Sequence, residues 1–64
     1  MRAREFKRIR AVLGLSQSEL AAAIGYTRGA IARYESGDLT VPKVVILALE
    51  ALEGRRKAAQ KIAG

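Results

Sequence analysis

The stretch TRGAIARYESG, residues 27–37, carries the side chains best suited to chemistry, and that chemistry is recognition. The chain has no histidine and no cysteine. That removes the commonest metal ligand, the usual base near neutral pH, and any thiolate or disulfide. Its six Asp and Glu form no acid pair at a spacing useful for proton transfer. No catalytic residue, metal or cofactor is therefore expected. What remains is the guanidinium group of Arg28 and Arg33. Its planar fork can donate two parallel hydrogen bonds, to a phosphate or to a base edge such as O6 and N7 of guanine.

Composition points the same way. Twelve Lys and Arg against six Asp and Glu give a formal net charge of +6 on 64 residues. A field of that sign and density suits nucleic acid or an anionic membrane surface, although surplus charge also serves plain solubility. No apolar run reaches the roughly 18 residues of a membrane span, and no signal-peptide pattern follows the basic start. A cytoplasmic protein of one domain, with no membrane association, is expected.

The elements that must hold Arg28 and Arg33 are helical, since proline is nearly absent and alanine frequent. Helix 1 is predicted over about Ala3–Leu13, with Phe6, Ile9 and Leu13 on one stripe and Gly14 as its stop. Ser16 and Glu19 have capping-box spacing, and Leu15 with Leu20 fits a hydrophobic staple, so helix 2 starts there and runs to about Ile24. Leu20 and Ile24 face inward, while Ala21 and Ala23 keep its surface slim. Gly25 ends it. Thr27 is a good N-cap, and Tyr26 with Ile31 would make a second staple. Helix 3 then spans about Arg28–Ser36 and stops at Gly37. Two short helices joined by a glycine-containing turn make a helix-turn-helix unit.

On a wheel of helix 3, Ile31 and Tyr34 point inward, and Gly29, Ala32, Arg33 and Ser36 point away, with Arg28 at the exposed first turn. Small residues plus arginines are what a helix needs to approach base edges in the major groove. Arg28, Gly29, Arg33 and Thr27 are the expected base-contacting set. Ser16 and Gln17 at the start of helix 2, with Thr40 and Lys43 before and at the start of helix 4, are the expected phosphate contacts. Glu35 sits near the C-terminus of helix 3, where the macrodipole disfavours an anion, and on the core side. It needs a cation, and Arg10 of helix 1 is the candidate.

Pro42 is read as the first residue of helix 4, whose inward face is Val44, Val45, Ala48, Leu49 and Leu52. Ile46 and Leu47 are left over. A tail folding back through Ala58, Ala59 and Ile62, or a second copy of the chain, would cover them. Gly54 is a possible break before that tail. Residues 1–54 then form the domain, and residues 55–64 a basic tail, either a short helix or a disordered arm.

Taken together, GLSQSELAAAIGYTRGAIARYESGDLTVP resembles the Cro/repressor-type (XRE-like, lambda repressor-like) helix-turn-helix family over about Phe6 to Leu52. The matching elements are Leu15 to Ala21, Gly25, Ile31, Tyr34 to Gly37, and Pro42. The resemblance implies an all-α, compact four- or five-helix domain that binds operator DNA, usually as a dimer, with helix 3 in the major groove. It also implies that Gln17, Arg28, Gly29 and Arg33 occupy DNA-contact positions, and that Arg10 and Glu35 form an ion pair between helices 1 and 3. The tail, with Arg55, Arg56, Lys57 and Lys61, departs from the apolar fifth helix of the family. Two copies of charge +6 repel, so a homodimer is expected to be weak in solution and to assemble on double-stranded DNA. The function expected is sequence-specific DNA binding by a regulator of phage-repressor or antitoxin type. The alternative is a protein-interaction adaptor or antitoxin module that uses the apolar helix 4 surface.

Overall fold

Local signals set the three short helices. The structure, a computed structural model, describes the backbone of residues 1–63 and the side chains of residues 1–55. It contains α1 (Ala3–Leu13), α2 (Gln17–Ile24), α3 (Arg28–Ser36) and α4 (Lys43–Ala63), and no strand among the described residues. The Ser16 side chain accepts from the Glu19 amide at 3.1 Å, while Glu19 Oε1 accepts from the Ser16 amide at 2.8 Å, which completes the capping box. Gly25 ends α2 with φ of 74°, a left-handed conformation that costs glycine little. Two residues later the Thr27 hydroxyl accepts from the Ala30 amide at 3.2 Å and opens α3.

The core is thin. Phe6, Leu20, Ala21, Ile31, Tyr34, Val41, Val45 and Leu49 are buried, and Ile9, Leu13, Leu15, Ile24, Tyr26, Ile46 and Leu52 pack around them. Every helix contributes to it. Phe6 of α1 meets Tyr34 of α3 with ring centroids 5.7 Å apart, and Tyr26 of the turn meets the same ring at 6.4 Å. Tilted pairs of this kind suit the aromatic quadrupole.

Several expectations change. Helix 4 begins at Lys43 rather than Pro42; the Pro42 carbonyl accepts from the Val45 and Ile46 amides, so proline stands at the cap. Val44, expected inward, is 61% exposed, because the buried stripe runs through Val45, Leu49 and Leu52. Ile46 joins the core margin, whereas Leu47 is 53% exposed. Ala21 is buried rather than a surface spacer, and Val41, in the loop before α4, enters the core. Finally, α4 continues through Gly54 as one helix of 21 residues, so the backbone does not turn back over Ile46 and Leu47. The architecture is the four-helix one. The side chains of Ala58, Ala59 and Ile62, which were to cover that face, lie outside the described residues.

Candidate nucleic-acid interface

The turn between α2 and α3 leaves α3 with one face against the core and one in solvent. Ile31 and Tyr34 are buried, while Arg28, Gly29, Arg33 and Ser36 are exposed. Ala32, read as fully outward, is half-buried. A side chain built on Gly29 would meet nothing nearer than the Thr27 hydroxyl at 4.0 Å. Thr27 is exposed, with its oxygen already used as the cap. Near the far end of α3 the Ser36 hydroxyl donates to the Arg33 carbonyl at 3.1 Å and accepts from the Asp38 amide at 3.4 Å, tying the helix end to the following loop.

Glu35 anchors the helix from behind. Its side chain is only 6% exposed, and that of Arg10 17%. Arg10 Nε lies 2.5 Å from Glu35 Oε2, and Nη2 lies 3.0 Å from Oε1. This two-point geometry suits a guanidinium and a carboxylate. A third nitrogen, Nη1, donates to the Leu15 carbonyl at 2.9 Å. One arginine of α1 thus fixes both α3 and the loop that leads into α2. The hydrogen bond to Glu35 raises the Arg10 pKa further; desolvation opposes that shift, and the Coulombic attraction of Glu35 adds to it.

The phosphate-contact candidates divide. Thr40 and Lys43 are exposed. Ser16 is exposed as well, but its amide is taken by the Glu19 carboxylate, so an anion arriving there meets a negative charge. Gln17 is half-buried, and its Nε2 donates to Glu35 Oε1 at 3.4 Å. The sequence carries no signal for this contact, because 18 positions separate its partners. Gly29, Arg33 and Ser36 lie on one face of α3 and Arg28 at its exposed first turn, about 140° round the helix from Arg33; the two sets of phosphate-contact candidates sit at the starts of two other helices.

The sequence matches the helix-turn-helix family model over residues 6–52, more than two thirds of the chain. The chain belongs to the helix-turn-helix family. It is of the XRE, lambda repressor-like type, a family of DNA-binding transcription regulators that is not typically enzymatic. No curated protein and no solved structure was found to match it. Among the described residues no helix is long and apolar enough to cross a membrane, and no cluster of His, Cys, Asp and Glu could hold a metal ion.

Two predictions arise from this helix-turn-helix. Gly29 has no positive φ and has room for a methyl group. Gly29→Ala should therefore raise thermal stability, by up to about 1 kcal/mol from helix propensity. If α3 is the helix that meets the duplex, the same substitution should weaken DNA binding, measured by fluorescence anisotropy, because the methyl group projects from its exposed face. The capping box gives a pH test. Hydrogen bonds from Ser16, its backbone N–H first and then its side chain, hold the Glu19 pKa below its ordinary value. A lowered carboxylate pKa stabilises the fold above the unfolded-state value, and that contribution is lost as pH falls through the folded-state value. The stability gap between wild type and Glu19→Ala should be open at neutral pH and close in acid, as read by chemical denaturation. A gap that persists in acid would assign it to packing.

Proposed function

We propose that this protein is a sequence-specific regulator of phage-repressor or antitoxin type that places α3 in the major groove of double-stranded DNA. One observation carries the reading: Gly29, Arg33 and Ser36 form a slim exposed face, with Arg28 exposed at its first turn, on a helix whose other side is held by Tyr34, Ile31 and the Glu35–Arg10 pair. A groove reader needs such a face, because affinity depends on the helix entering rigidly and closely. Arg28 and Arg33 supply bidentate donors to base edges, Gly29 gives clearance, and Thr27 lies at the entry point. Thr40 and Lys43, with Gln17, grip the sugar-phosphate backbone on either side and set the register. Gln17 does so with the amide that also faces Glu35. Ser16 can add only its hydroxyl, since Glu19 holds its amide.

The protein acts as a homodimer on DNA and associates weakly in solution. Val44 and Leu47, exposed on one side of α4, are the apolar surface available to a second copy. Phosphate contacts by the duplex offset the repulsion between two basic chains.

A mobility-shift titration across salt concentrations tests the reading. Saturable binding should fall with a log–log slope of about −0.9 per phosphate contacted. Lys43→Ala should flatten that slope by about one such contact and weaken all sequences alike. Selection from a random pool should return half-sites spaced by about one helical turn, some 10 base pairs, if two copies bind. An adaptor that used only α4 would show no saturable DNA binding at ~0.15 M salt.

A further inference from the structure

Away from α3, the outer face of α1 is a second cationic surface. Phe6, Ile9 and Leu13 turn α1 toward the core. At about 100° per residue, Arg4, Lys7, Arg8 and Ala11 fall on the opposite side. All four are exposed. No acid lies on the helix face between Arg4 and Lys7, whereas Arg8, at the edge of that ridge, lines a shallow cavity with Glu5 and with Glu53 of α4. Among the described side chains the only ion pair is Arg10–Glu35, so Arg4 and Lys7 carry the ridge, and Arg8 stands beside two carboxylates without pairing to either. α1 and α3 meet through their inward faces, at Phe6–Tyr34 and Arg10–Glu35. Gly29 and Arg33 therefore look out from one side of the helix pair, and Arg4 and Lys7 from the other.

We propose that the α1 ridge is a second phosphate-binding face, which holds another segment of duplex DNA while α3 occupies the first. The proposal rests on the DNA-binding reading above. From Arg4 to Arg8 the helix rises about 6 Å. That length faces roughly two phosphates of one strand, at about 3.4 Å of duplex axis each. A lipid surface suits the ridge less well. Interfacial helices use an apolar face together with their charges, and the apolar face of α1 is locked in the core, with Phe6 fully buried. About two phosphate contacts at about −0.9 each make the ridge weak and salt-sensitive by itself. It gains effect once the first face is bound, because a second segment of the same DNA is then present at high effective concentration.

The test uses a duplex that the full chain selects from a random pool. One copy is fixed to beads, a labelled copy is free, and capture of the free copy is followed at low and at physiological salt. One-duplex affinity is measured in parallel by anisotropy. Wild type should capture the free duplex at low salt and lose capture as salt rises. The triple variant Arg4→Gln, Lys7→Gln, Arg8→Gln should lose about tenfold or more of the capture, while one-duplex affinity stays within about twofold. Capture that survives in the variant would assign bridging to paired α3 helices and overturn the proposal. So would a parallel loss of one-duplex affinity, which puts the ridge in the first interface. Binding of wild type to anionic vesicles that excess duplex does not displace would assign the ridge to lipid. Failure to select any duplex defeats the DNA reading itself, a result distinct from selection without capture.

Discussion

Glu35→Ala should lower the unfolding free energy by about 1–3 kcal/mol, the cost of leaving a part-buried charged donor without its acceptor. The Glu35 side chain is 6% exposed, and its carboxylate accepts from Arg10 Nε, Arg10 Nη2 and Gln17 Nε2. Removing it leaves a guanidinium only 17% exposed, with the Leu15 carbonyl as its remaining acceptor. The loss is large for a chain this short, since domains of this size hold only ~3–10 kcal/mol in total. At about 4–8 °C per kcal/mol, the melting temperature should drop by at least ~4 °C. The double variant Arg10→Met, Glu35→Leu should recover most of that loss, because it removes the stranded charge as well as the pair. Thermal denaturation of the three proteins measures both effects. A single variant that melts with wild type would show that the pair contributes nothing net.

Arg33→Ala should cost roughly 1–3 kcal/mol of affinity for the selected site and relax preference at one base position. Its stability should hardly change, since the Arg33 side chain is exposed and its backbone carbonyl, which accepts from Ser36, is retained. Parallel selections with wild type and variant give the comparison. An unchanged base preference would remove Arg33 from base reading and leave it a backbone contact. Lys43→Ala supplies the contrast, with affinity lost evenly and the salt slope reduced. The two variants thus separate reading from gripping.

Much of the fold can be read from the chain because its signals are local. Ser16 and Glu19 are three residues apart, and Gly25 and Thr27 bracket a turn, so each cap is specified within one helical turn. Glu35 announces its need for a cation by lying on the core side of a helix C-terminus, where both burial and dipole oppose a free anion. The register of α4 is different. VVILAL, residues 44–49, is apolar at every position, so periodicity cannot choose between Val44 and Val45; the way α4 crosses α1 makes that choice. Val41 escaped notice because a loop has no period. Gly54 does not end α4, since one glycine costs about 1 kcal/mol of propensity and helix-forming Glu53 and Arg55 flank it. The Gln17–Glu35 contact depends on how two helices approach, which spacing does not encode. The direct contacts to DNA remain a proposal drawn from exposure and side-chain chemistry.

Along α3, residues 31, 34 and 35 are committed to the interior, while 28, 29, 33 and 36 touch nothing that the fold requires except through their backbones and the Ser36 end bond. On the proposed reading, drift in the second group alters the preferred target while the first group keeps the scaffold intact. New regulatory wiring is then open to such a chain through a handful of codon changes, with little loss of foldedness along the way.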